Sequence, residues 1–138
     1  MKIRLQTVID AVEQADDAYM LFYDTKTGET VYLPDAFITG ETDEALELLI
    51  DTSPGRFLRF PTKYEIHEYS IMDAFVDRLP PGNIQNELAR AIRGRGAFRR
   101  FKAQIRFYGI EQLWYDYRQT AYREIAVRWC RDNELEYE

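Results

Sequence analysis

The run Gly94-Arg95-Gly96-Ala97-Phe98-Arg99-Arg100-Phe101-Lys102, with Arg106 following, sets guanidinium and ammonium groups beside two glycines, a combination suited to holding an anion. Arginine presents a planar fork that matches a carboxylate or phosphate with two parallel hydrogen bonds. Backbone N–H groups at a helix start have no partners within the helix, and the aligned peptide dipoles add partial positive charge there. An anion at Gly96-Ala97-Phe98 would therefore be clamped by Arg95, Arg99 or Arg100. The spacing is not that of a Walker loop, and it is not a dinucleotide fingerprint either, because the residues before it read as helix rather than strand. The competing reading is a corner between two helices whose glycines serve only to turn the chain.

Successive helical residues lie about 100° apart around the axis. From Ala97 onward this puts Ala97, Phe98, Phe101, Ile105 and Tyr108 on one side and Arg99, Lys102 and Arg106 on the other, with Arg100 at the flank. The rings are assigned to the core, not to a stacking platform for bases, since their period is that of a buried face. The final helix adds Arg118 to the site: it projects from a face shared by Trp114, Ala121, Ile125 and Trp129. A guanidinium there must find a carboxylate, carbonyl or ring, so it is a ligand clamp or an internal brace.

Charge is distributed unevenly. The chain carries 18 Lys+Arg and 24 Asp+Glu, net -6, yet no acid lies between Glu87 and Glu111, a window holding Arg90, Arg93, Arg95, Arg99, Arg100, Lys102 and Arg106. A basic segment on an acidic body attracts anions locally, unless it is spent on the protein's own carboxylates.

Other chemistry is thinly supported. Cys130 is the only cysteine, so this chain alone forms no disulfide, multi-cysteine zinc site or iron–sulfur cluster, and the thiol reads as a small packing residue. His67, the only histidine, reads as a surface residue at a helix start. Asp10, Glu13, Asp16 and Asp17 lack the pattern of a calcium loop. No cofactor is implied. No apolar run has the length of a signal peptide or bilayer span, so the expectation is a cytoplasmic protein without membrane contact.

The elements that must position the ridge follow from periodicity. At 138 residues the chain is expected to be one domain, 1–138, of α+β class. Leu5, Val8, Ile9 and Val12 mark a helix ending near Ala15, and Tyr19 to Tyr23 and Thr30 to Leu33 form a hairpin across Asp24-Thr25-Lys26-Thr27-Gly28. Thr42 is expected to cap a helix stopped by Ser53-Pro54-Gly55, and Phe57 to Phe60 to form an edge strand before Pro61. Ile71, Met72, Phe75, Val76 and Leu79 predict a helix, Asn83 is expected to cap the next, and further helices begin near Ala97 and Ile110, the last reaching Arg131. The tail from Glu134 to Glu138 is polar enough to fray. The result is a small N-terminal antiparallel sheet of two to three strands with short helices, and a mostly helical C-terminal half packed on it.

The string from Gly94 to Lys102, with Leu113-Trp114-Tyr115-x-Tyr117-Arg118 and the Trp129 segment, resembles a bacterial family catalogued as uncharacterised (uncharacterised protein family 0158), without an assigned activity. The turn Asp24-Thr25-Lys26-Thr27-Gly28 and Arg59-Phe60-Pro61 resemble its earlier segments. The resemblance implies a shared fold and brings no catalytic residues.

Three functions compete on these residues. The first is a non-catalytic module whose ridge holds an anionic partner, nucleic acid or an acidic protein. The second is an enzyme or binder of a small phosphorylated or carboxylated ligand, with Arg95, Arg100 and Arg118 as clamps. The third is a self-associating subunit with an interface of exposed Tyr and Trp.

Overall fold

A computed structural model describes residues 2–138. They fall into two compact units: residues 2–66 with Tyr122–Glu138, and His67–Ala121, the last helix contributing to both. With 58% helix and 13% strand, a small antiparallel sheet followed by a mostly helical half, the chain is α+β.

The first unit opens with a short strand, β1 (Lys2–Ile3), and helix α1 (Leu5–Gln14), whose Leu5, Val8, Ile9 and Val12 are all buried as their spacing requires. Strands β2 (Tyr19–Asp24) and β3 (Thr30–Pro34) form the expected antiparallel hairpin, Tyr23 opposite Thr30 and Tyr19 opposite Pro34. Its turn is closed from within: the Asp24 carboxylate accepts the Lys26 N–H at 2.9 Å, and Gly28, at φ 77°, donates its own N–H to the Asp24 carbonyl at 2.8 Å.

After α2 (Ala36–Thr39) and α3 (Glu44–Thr52), strand β4 (Phe57–Arg59) pairs antiparallel with the other side of β2, giving the order β3-β2-β4 and leaving β4 at an edge. The cap of α3 is Asp43, not Thr42: its carboxylate accepts the Leu46 N–H at 3.0 Å, the reach from N-cap to N3. Helix α4 (Lys63–Ile66) starts on a reciprocal pair, with Thr62 Oγ1 accepting the Glu65 N–H and Glu65 Oε1 accepting the Thr62 N–H. The core centres on Phe60, 1% exposed, whose ring lies 4.7 Å from that of Trp129 and 6.2 Å from that of Tyr23; Trp129 Nε1 donates to the Arg59 carbonyl at 2.9 Å.

In the second unit, α5 (Glu68–Arg78), α6 (Asn83–Ala91), α7 (Ala97–Phe107) and the first part of α8 (Glu111–Asp132) surround a cluster of rings. Phe75 lies 6.0 Å from Phe101 and 5.3 Å from Trp114, and Phe101 lies 4.9 Å from Trp114, all near edge-to-face. The N-cap of α6 is Gly82; Asn83, expected there, is already the first helical residue. On α8 the buried stripe is Trp114, Tyr122, Ala126, Trp129 and Cys130, while Ala121 and Ile125 are only half-buried.

The tail does not fray. Glu134, at φ 57°, ends α8 in a left-handed cap, with the Leu135 N–H donating to the Cys130 carbonyl at 2.8 Å, and β5 (Glu136–Tyr137) then pairs in parallel with β1.

Candidate functional site

Two glycines shape the approach to α7. Gly94 and Gly96 both take φ 76°, which lets the chain leave α6 and begin a new helix within the short segment 92–96. A helix end leaves carbonyls without partners, and this corner would leave several. Arg100 supplies the donors: its Nε bonds the Ala91 carbonyl at 2.8 Å, Nη2 the Arg93 carbonyl at 2.5 Å, and Nη1 the Arg95 carbonyl. Arg100, expected to clamp a foreign anion, thus directs its guanidinium at three carbonyls of its own chain. Its guanidinium is half-buried and engaged, and it fastens α7 to the end of α6.

The ridge itself forms as the 100° spacing requires. Arg99, Lys102 and Arg106 are exposed, and with Phe98 and Ala103 they line a shallow depression along the outer face of α7. Among the described residues, no carboxylate lies within ion-pair distance of Arg95, Arg99 or Lys102. Arg106 has Glu111 Oε1 at 3.7 Å from its Nε, with 75% of its side chain exposed, and a contact of that kind is worth only ~0–1 kcal/mol. Arg95 is exposed in the loop, and Gly96 forms the N-cap of α7 without any side-chain hydrogen bond.

Phe98 departs from its assignment to the core. It stays 44% exposed, resting edge-on against Tyr69 at 6.4 Å, because it sits in the first turn of α7 beyond the reach of the Phe75–Phe101–Trp114 cluster. Phe107, at the far end of the same helix, is 82% exposed. Phe98 thus lies beside the cations in the depression, whereas Phe107, nine residues on, faces the other side of the helix.

Arg118 does not line this depression. It is half-buried on α8, its guanidinium 5.3 Å from the centre of the Tyr115 ring, the geometry of a brace. His67 is exposed, at the N-cap of α5 with φ 53°. Cys130 is completely buried, and burial pushes its thiol pKa up, away from reactivity. Among the described residues no group of three or more His, Cys, Asp or Glu is placed to hold a metal ion, and no helix is long and apolar enough to cross a membrane.

Two features of the first unit escaped the sequence reading. Asp24, 3% exposed, is held by Arg56 through paired bonds of 2.9 Å, Nε to Oδ1 and Nη2 to Oδ2. Those bonds first, and the Lys26 N–H second, hold its carboxyl well below the usual range despite burial. The other is an open cleft of about 460 Å³ between the hairpin, α2, α3 and Pro61–Tyr64. Tyr19, Met20, Leu33, Phe37, Phe60 and Tyr64 supply its apolar wall, and Asp16, Asp17, Asp35, Asp43 and Glu47 its rim. Helix α3 buries none of its residues although it carries Leu46, Leu48, Leu49 and Ile50, and Phe37 and Tyr64 are almost wholly exposed. The readable signal was the helical spacing of Leu46, Leu49 and Ile50 on α3, an apolar stripe of which no residue is buried.

The comparisons bear on the chain as a whole. The model of the Uncharacterised protein family (UPF0158) matches residues 1–138. A protein of Pseudomonas aeruginosa, UPF0158 protein PA5073, is 27% identical over 95 residues, covering 68% of this chain. The matched region spans 62% of that protein's length. No solved structure matches.

Proposed function

Because the chain belongs to the uncharacterised protein family UPF0158, whose description carries no activity, we propose from its own residues that it is a non-catalytic binding module whose α7 ridge holds an acidic surface of a protein partner. The observation carrying this is the pairing of open cations, Arg99 and Lys102, with the exposed ring of Phe98 on one helix face. Arginine and aromatic residues are enriched in protein interfaces, where the ring supplies buried area and the cations set orientation. Covering the exposed 44% of Phe98 contributes about 1 kcal/mol, on a par with one exposed ion pair.

The acidic partner is favoured over nucleic acid on charge grounds. The unit His67–Ala121 holds nine basic against six acidic residues, while the rest of the chain holds nine basic against eighteen acidic. A long polyanion seated on α7 meets the field of that acidic remainder, whereas a compact acidic patch with an apolar centre does not extend into it.

The test is a titration of the protein with a fluorescent Glu-rich peptide carrying Leu anchors, and in parallel with a short single-stranded DNA. Binding of the peptide that weakens about tenfold or more in the Arg99→Ala, Lys102→Ala, Arg106→Ala variant is expected. Equal binding of the peptide by wild type and variant contradicts the proposal, and so does preference for the DNA with a steep loss as salt rises.

A further inference from the structure

We propose that the acidic partner of the α7 ridge is the open cleft of a second copy of this same chain, so that the protein associates through a cleft-to-ridge contact. The inference rests on the reading of α7 as an anion-holding face and goes beyond it by naming the occupant of both surfaces.

The argument is complementarity of charge and of apolar surface. The cleft is concave, and its rim is formed by Asp16, Asp17, Asp35, Asp43 and Glu47 around an apolar wall, with Lys63 the one basic residue among those lining it. The ridge carries the opposite charge, with Arg99, Lys102 and Arg106 beside the partly exposed ring of Phe98 along a shallow depression of α7. Each surface offers what the other lacks. The cleft, at about 460 Å³, has room for a phenylalanine side chain and part of the backbone that carries it. Tyr19, Met20, Phe37 and Tyr64, all lining the cleft, stay exposed, apolar surface that a partner seated there would cover. Carboxylates around the rim favour a cationic visitor and repel a second acidic cleft, so like faces do not pair. The contact is therefore heterologous, one kind of surface against the other.

Charge-reversed variants test this directly. The side chains of Asp17 and Glu47 make no hydrogen bond or ion pair among those described, and Arg99 and Lys102 are exposed without a carboxylate partner, so Asp17→Lys with Glu47→Lys, and Arg99→Glu with Lys102→Glu, leave the packing of each unit intact. Circular dichroism verifies the fold of each. Sedimentation velocity over a concentration series is expected to show wild-type protein gaining mass as concentration rises. That association weakens at least tenfold as salt is raised from about 0.15 to 1 M, which shortens the screening length from ~8 to ~3 Å. Each double variant alone stays monomeric. Mixed in equal amounts they associate, because the intact cleft of one meets the intact ridge of the other, and the reversed cleft and reversed ridge are again opposite in sign. Wild-type protein that stays monomeric throughout overturns the inference, as does association that both variants retain or a mixture that fails to pair. If the wild type is monomeric yet its ridge binds the Glu-rich peptide, this inference falls alone and the reading of α7 stands.

Discussion

Arg100 Nη1 crowds the position of any side chain at Gly96: a Cβ built on Gly96 would stand 3.1 Å from it, tighter than ordinary contact. The same guanidinium holds the carbonyls of Ala91, Arg93 and Arg95, so the glycine and the arginine form one device. The corner that aims the ridge depends on the absence of one side chain and the full reach of another.

Gly96→Ala is accordingly expected to lose about 1–2 kcal/mol, from the left-handed φ of 76° forced on an alanine and from the crowding of Arg100. Arg100→Lys keeps the charge but cannot bridge three carbonyls with one ammonium, and is expected to cost about 1–3 kcal/mol. Urea unfolding of both variants checks this. An Arg100→Lys protein as stable as wild type would contradict the corner's role.

The ridge residues predict the opposite behaviour. Arg99→Ala with Lys102→Ala removes two exposed cations that no carboxylate meets, so stability should change by less than about 0.5 kcal/mol while partner binding falls. A large drop in melting temperature would mean that these side chains support the fold instead.

Asp24 predicts a pH dependence. Its folded pKa is depressed, so its contribution is complete above the unfolded value near ~3.9 and is lost as pH falls toward the lower folded value. Stability should decline below about pH 5, and Asp24→Asn should flatten that decline. At neutral pH the variant should lose roughly 2–3 kcal/mol, short of the figure for a fully buried pair because Arg56 keeps 25% of its side chain exposed and can turn to water. Denaturant titrations of both proteins across pH 3 to 7 give the comparison, about the span in which an ordinary carboxylate titrates.

Cys130 should report opening of the chain, not surface chemistry. A completely buried thiol whose pKa is raised reacts only when its surroundings open, so a thiol reagent should label the native protein at least about a hundredfold more slowly than the urea-unfolded one. Immediate labelling would contradict its burial.

What was legible in the sequence was local. The stripe of α1, the hairpin around Asp24 to Gly28 and the outward turn of Arg99, Lys102 and Arg106 all follow from spacing and turn chemistry. Partners distant in sequence were not. Arg100 reaches back nine residues to Ala91, Asp24 meets Arg56 across the loop and α3, and Lys2–Ile3 pairs with Glu136–Tyr137 at the other end of the chain, which turns a polar tail into a strand. Phe98 marks the boundary between the two cases: its angular position matches that of Ile105, yet only Ile105 lies deep enough along α7 to meet the core. The unfilled carbonyls after α6 were a readable demand, but nothing local named the residue that meets it.

The most direct measurement of the central claim is a residue-level footprint of the partner. Amide resonances followed by NMR during titration with the Glu-rich, Leu-anchored peptide should shift over residues 95–107, most at Phe98, Arg99, Lys102 and Arg106, while the buried face at Phe101 and Ile105 moves little. Shifts centred elsewhere, or none along α7 at saturating peptide, would contradict the account.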